Sequence, residues 1–310
     1  MTTAYITHPD CLKHDMFYGH PECAQRLVAI EDYLKVKQRW DFLQHVEAKV
    51  ASEQQLLLAH SQQHLDAIYG CSPEPGQAAQ PIDPDTYMNE HTLSAALKSA
   101  GSGVQAVDLI MQGKVDNAFC AVRPPGHHAE RDKAMGFCFF NNIAITAAYV
   151  MEHYDIERVA IIDFDVHHGN GTENIFRNNS QVLICSSYEH PMYPYSGCHT
   201  EAGHIINSRL ESGANGTDFR RAVENEWLPE LEKFEPQFIL ISAGFDAHEE
   251  DEIAQLKFTD ADYLWVTQQI RDVANKHAQG RIVSMLEGGY SLDALARSTE
   301  RHISVLMGLD

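Results

Sequence analysis

The chain has 310 residues, 44% of them hydrophobic and 22% charged, with a formal net charge of −21. This is the composition of an ordinary globular protein. So large an acidic excess argues against a nucleic-acid partner, because affinity for phosphate comes from Lys and Arg, and it favours cationic ligands such as basic peptides or polyamines instead.

In chain order, residues 72–85 (SPEPGQAAQPIDPD) are rich in Pro, Gly and Ala and read as a long surface loop, a rim or lid rather than a domain boundary. Residues 90–112 follow as a helix, with apolar side chains at Leu93, Ala96, Leu97 and Ala100. Short apolar runs then recur at 118–122 (AFCAV), 159–162 (VAII), 182–185 (VLIC), 238–241 (FILI) and 282–286 (IVSML). Helix-like stretches at 141–154, 217–232 and 259–277 lie between most of them. Continuous apolar strands alternating with helices predict an α/β fold, with a mostly parallel sheet covered on both faces.

The apolar runs at 118–122, 159–162, 238–241 and 282–286 lead directly into polar sequence: RPPGHHAE, DFDVHHGNGT, SAGFDAH and EGGY. Open α/β sheets bind ligands outside the carboxyl ends of their strands. The order of the motifs therefore gathers four polar clusters at one sheet edge, the expected active site.

Asp163, Asp165 and His167 alternate with Phe164 and Val166, which places the polar side chains on one face of an extended segment. Asp165 and His167 can share one metal, with Asp246 at another strand end as a third ligand. One His and two carboxylates leave positions open for water and substrate, as a catalytic zinc site requires, and the same set accepts ferrous iron. Asp-x-Asp-x-His alone is equally a salt-bridged loop; Asp246 and the histidine pair favour the metal. His127 and His128 follow the stiff Arg123-Pro124-Pro125-Gly126 turn, which directs both imidazoles, and imidazole is the usual general base and acid beside a metal. Tyr290, after Gly288 and Gly289, can donate to a developing oxyanion. The aromatic run Met135 to Phe140 is partly core.

Together RPPGHHAE, MGFCFFNN, DFDVHHGNGT, SAGFDAH and EGGY, with HPE at residues 20–22, resemble the zinc-dependent histone deacetylases over essentially the whole chain. Asn170 and the short EGGY form look like the class II branch and its bacterial amidohydrolase relatives. The resemblance implies an arginase-like three-layer fold around a sheet commonly of eight strands, and zinc on Asp165, His167 and Asp246. It implies His128 as main general base and acid, and Tyr290 polarising the substrate carbonyl. Gly136-Phe137 and Tyr193 would wall a narrow acyl-lysine tunnel open to linear hydroxamate inhibitors. Asp163 would orient His127 and, with Ser186 and nearby backbone oxygens, help to hold a structural potassium ion. Asn170 would orient His128 as a neutral amide, where Asp163 offers His127 a carboxylate.

The expected reaction is hydrolysis of an N-acetylated amine, most simply acetyl-lysine in a peptide or protein. An acetylated polyamine is the alternative: the acidic surface favours it, whereas Ile253 stands where polyamine-selective relatives carry a gating Glu. An arginase-type two-metal enzyme is set aside because Asp246-Ala247-His248 lacks the second carboxylate, and an inactive acyl-lysine reader because nothing needed for turnover is missing. Residues 1–10 show no signal peptide, and no run approaches the roughly 18 apolar residues of a membrane helix. The seven cysteines contain no C-x-x-C pair, which points to a reducing, cytoplasmic setting. One domain over 1–310 is expected, with a homo-oligomer left open.

Overall fold

The computed structural model describes residues 1–198 and 203–309. Ten strands are present among them: β1 (Thr3–Thr7), β2 (Gln44–Glu47), β3 (Gln80–Asp83), β4 (Thr86–Met88), β5 (Asn117–Cys120), β6 (Val159–Asp163), β7 (Val182–Glu189), β8 (Ile205–Leu210), β9 (Phe238–Ala243) and β10 (Ile282–Leu286). Eight of these form one sheet in the order β2-β1-β5-β10-β9-β6-β7-β8, and every neighbouring pair is parallel. The expected α/β architecture is thus present with a wholly parallel sheet.

Every residue of β5, β6, β7, β9 and β10 is buried, as continuous apolar runs require when helices cover both faces. Alternation along β10 identifies the two layers. Ser284 Oγ lies 2.8 Å from His302 in the helix Leu292–Met307, whereas Met285 Sδ meets Thr146 in the helix Asn142–His153. The latter helix packs with Thr92–Met111, and Leu292–Met307 packs between Gln25–Val36 and Asp260–His277. Among the described residues no helix is long and apolar enough to cross a membrane, and all seven cysteines are free.

Two stretches differ from the reading of the sequence. The expected loop at 72–85 contains β3, which pairs antiparallel with β4. At the turn, Asp85 N donates to Asp83 Oδ1 at 3.1 Å, an Asx-type closure that needs no glycine. The expected helix at 217–232 divides into Gly216–Ala222 and Leu228–Phe234, joined by a π-turn over Val223–Trp227. Pro229 has no N–H with which to continue the ladder, so the register slips there.

Beyond β5, Arg123 enters a fully buried ionic cluster. Its guanidinium donates to Cys11 O at 2.7 Å, to Glu22 O at 3.1 Å and to Glu22 Oε2 at 2.7 Å. Arg26 Nη1 reaches Glu22 Oε1 at 3.1 Å. Burial alone would raise the Glu22 carboxyl, but Arg123, His14 and Arg26 hold it well below the usual carboxylate range. The cluster pins residues 11–26 to the sheet edge. Glu22→Ala would leave two buried guanidinium groups uncompensated and should cost about 3–5 kcal/mol. Urea unfolding tests this; a loss under about 1 kcal/mol, the scale of an exposed ion pair, would show the cluster to be marginal.

Candidate active site

The polar motifs meet at the carboxyl edge of the central strands. β6 ends at Asp163, in register with Ser186 of β7 and Ser242 of β9. The segment beyond Asp163 is bent rather than extended as expected: Asp165 N donates to Asp163 Oδ1 at 3.1 Å, and His167 N to Asp165 Oδ1 at 2.9 Å. The polar side chains nevertheless converge. His167 Nδ1 lies 2.9 Å from Asp165 Oδ1 and 3.3 Å from Asp246 Oδ2. Ligand atoms of Asp165, His167 and Asp246 all lie within 4.8 Å of one another, and the three residues are buried.

This corner suits a cation. Asp246 Oδ1 accepts from Val166 N at 2.9 Å, but Oδ2 is buried without a hydrogen-bond partner. Burial and the nearby Asp165 carboxylate push Asp246 up to about 6. Burial disfavours a charged His167, yet the two carboxylates push it up to about 10. Asp165 Oδ2 accepts from Gly288 N at 2.8 Å. That approach requires glycine, because a Cβ at residue 288 would stand 2.0 Å from Asp246 Oδ2. One imidazole and two carboxylates form a donor set that fits a catalytic divalent ion with positions left open.

The two imidazoles beside it lie 4.0 Å apart. His127 Nδ1 is 2.9 Å from Asp163 Oδ2, and His128 Nδ1 is 2.8 Å from Asn170 Oδ1. Burial opposes protonation of His127, but Asp163, Asp165 and Glu287 hold its pKa well above the histidine range. Burial lowers His128, and the neighbouring His127 and His167 lower it further. A carboxylate partner and an amide partner therefore divide the pair into a cation and a neutral ring. Glu287 accepts from Gly126 N at 2.7 Å and His127 N at 3.1 Å, and from Ser242 Oγ at 3.1 Å. It fixes the histidine turn, a role that the EGGY motif alone did not reveal.

A cavity of about 230 Å³ leads to these groups, lined by Gly136, Phe137, Tyr193, His127, His128, His167 and Tyr290. Met192 and Asp85, given no site role beforehand, also line it, as does Ile253, the position where polyamine-selective relatives carry a gating Glu. Gly136 and Phe137 take φ of +57° and +68°. A Cβ at Gly136 would lie 2.6 Å from the His128 ring, and Phe137 stands in the sparsely populated left-handed region, held by its N–H to Thr86 Oγ1 at 3.0 Å. Tyr290 N donates to Asp251 Oδ2 at 2.6 Å, and the Arg26 guanidinium lies 5.1 Å from the Tyr290 ring centre. Burial and Asp246 raise the phenol well above its ordinary pKa, so it remains a donor.

The histone deacetylase domain family matches residues 20–306. The chain is 36% identical to the histone deacetylase-like amidohydrolase of Pseudomonas aeruginosa, over 88% of this chain and 73% of that protein. It is 32% identical to the polyamine deacetylase HDAC10 of Mus musculus, over 99% of this chain and 48% of that one. The crystal structure of the HDA15 HD domain superposes with a TM-score of 0.92 at 34% identity, covering 99% of this chain and 88% of that one.

If Asp165, His167 and Asp246 are the ligands, zinc titration against a chelating indicator should saturate at one tight site per chain. Asp246→Ala should abolish that binding while circular dichroism stays native. Two tight sites, or tight binding by the variant, would overturn the assignment.

Proposed function

The chain belongs to the histone deacetylase domain family, and on that premise we propose that it hydrolyses the acetyl amide of lysine side chains in peptides or proteins, with zinc held by Asp165, His167 and Asp246. The observation that carries this reading is the cavity ending on both histidines, His167 and Tyr290. Its walls of Phe137, Met192, Tyr193 and Ile253 suit the methylene stem of lysine and leave polar contacts for the amide at its end.

Asp165, His167 and Asp246 would hold a zinc ion, which would supply Lewis acidity toward the amide carbonyl and acidify a water to a pKa of about 7. His128, neutral and in the cavity wall, takes the proton released as water attacks the amide carbon, then delivers a proton to the departing amine. His127 stays protonated against Asp163 and stabilises the negative charge that develops beside it. The Tyr290 hydroxyl donates to the oxyanion. Phe137 and Tyr193 hold the alkyl stem and restrict water to the reacting end. Acetate and a free amine leave.

A structural potassium ion beside Asp163 is part of the proposal. Ser186 Oγ, buried without a partner next to Asp163 in the sheet register, supports it. The free thiols support a reducing compartment.

Acetylated polyamines remain a second reading, favoured by Asp85 at the cavity and the net charge of −21. The apolar Ile253 in the same lining supports the lysine reading instead. Comparing the zinc-loaded enzyme on an acetyl-lysine peptide and on acetylspermidine should give the larger kcat/KM with the peptide. On that substrate Tyr290→Phe should lower kcat about 10²–10³-fold, and a linear hydroxamate should inhibit. A larger kcat/KM on acetylspermidine would transfer the assignment to polyamines, and no hydrolysis of either would defeat it.

The pH profile tests the base. His128 must be neutral to accept a proton, so activity is lost as pH falls through its pKa. Because burial and its cationic neighbours depress that pKa, the acidic limb of kcat/KM should fall below about 6.5, the ordinary histidine value. A limb well above 7 would assign the proton to another group.

A further inference from the structure

Glu130 closes the RPPGHHAE motif but does not line the substrate cavity. It lies behind Asn170. The Asn170 amide nitrogen donates to Glu130 Oε1 at 2.7 Å, with Met135 Sδ and His128 O each 3.4 Å away, while its Oδ1 faces His128 Nδ1 at 2.8 Å. An amide has a donor end and an acceptor end, whereas an ionised carboxylate accepts only. With Oδ1 toward the imidazole, Nδ1 must carry the hydrogen and Nε2 the lone pair. With the amide turned over, its N–H would meet Nδ1 and force the hydrogen onto Nε2, leaving no base toward the substrate.

The carboxylate excludes the turned-over amide, since it would then face Oδ1, acceptor against acceptor. The backbone that carries it is also held in place. Glu130 N donates to Lys133 O at 2.8 Å, and Glu130 O receives His60 Nδ1 at 3.0 Å. His60 is buried, which lowers its pKa to about 3 and keeps the ring neutral. Its Nε2 accepts from Asn141 N at 2.8 Å, so its only hydrogen lies on Nδ1, shared between Glu130 O at 3.0 Å and Arg131 O at 3.3 Å. A separate cavity of about 350 Å³ opens on Glu130 and Asn170, so the carboxylate is not sealed from solvent.

We propose that Glu130 is a positioning residue that sets the tautomer of His128 through the Asn170 amide. The assignment rests on His128 acting as the base, as proposed above. It makes a relay of orientation, from His60 to Glu130 to Asn170 to His128, in which no proton passes through the amide.

The test uses zinc-loaded wild type, Glu130→Ala, Glu130→Gln, Asn170→Ala and the Glu130→Ala/Asn170→Ala double variant on an acetyl-lysine peptide. Glu130→Ala should lower kcat roughly 10–100-fold, the usual effect of removing a group that orients a site side chain, with KM little changed. Glu130→Gln should recover most of the loss, because its Oε1 can accept the same bond. The double variant should be no slower than Asn170→Ala, since both act through one contact. In parallel, imidazole 15N resonances, with His128 identified by the signal missing from His128→Ala, should show a hydrogen on Nδ1 in wild type and mixed tautomers in Glu130→Ala. Wild-type kcat in a folded, zinc-loaded Glu130→Ala, losses that multiply in the double variant, or identical tautomers would overturn the inference. A wild type inactive on every acylated amine would defeat the proposed function alone, and the tautomer comparison would still decide the role of Glu130.

Discussion

Four carboxylates, those of Asp163, Asp165, Asp246 and Glu287, are buried at the carboxyl edge of one parallel sheet, and the surrounding structure is organised by the need to compensate them. An unpaired buried carboxylate costs several kcal/mol. Asp163 faces the His127 imidazolium, Glu287 takes two backbone N–H groups of the histidine turn, and Asp165 takes Gly288 N and His167. Asp246 is satisfied on one oxygen only. That remaining oxygen, facing His167 and beside Asp165, is where a cation would fit. Among these four carboxylates, Asp246 alone keeps an oxygen with no hydrogen-bond partner.

Positive charge behind the site extends the same logic. Arg26 donates to Gly289 O at 2.6 Å and to Glu287 O, gripping the backbone on both sides of Gly288, and its guanidinium packs against Tyr290. Asp251 takes the N–H groups of Tyr290 and Ser291. The loop bearing the phenol is therefore held from both sides by groups far apart in the chain. Arg26 is itself held by Glu22, which also binds Arg123. One buried cluster thereby connects the residues around Glu22, the histidine turn after β5 and the tyrosine loop after β10.

Much of this was legible because local sequence reports local chemistry. The apolar runs at 118–122, 159–162, 238–241 and 282–286 all correspond to strands, and β10 has the bounds its pattern predicted. The polar motifs lay where strand ends require them. The rest depended on long-range contact. β1 was not read as a strand, and β2 is largely exposed with no apolar run to betray it. The π-turn before Leu228 carried a local sign in Pro229 that helical periodicity concealed. Arg26 sits in a helix, and nothing at that position shows that its guanidinium reaches residues more than 260 positions away. Asp85 and Met192 join the cavity only because the β3–β4 hairpin and the chain after β7 approach the aromatic segment. Ile253 was noticed as a position and found in the wall.

The asymmetry of the histidine pair follows from one substitution of chemistry at two equivalent places. His127 and His128 are adjacent in sequence and their rings are 4.0 Å apart, so two imidazolium ions there would repel strongly in a buried site. Two neutral rings would leave Asp163 buried without a counter-charge. The structure resolves this with a carboxylate beside one ring and an amide beside the other. Each choice strengthens the other, because the charge kept on His127 is itself a cause of the depressed pKa of His128. A second carboxylate at residue 170 would weaken that division and would also lie against Glu130, which accepts the Asn170 N–H at 2.7 Å. Neutrality at Asn170 therefore serves two neighbours at once: in the proposed mechanism it leaves His128 free to act as a base, and it supplies the donor that Glu130 accepts.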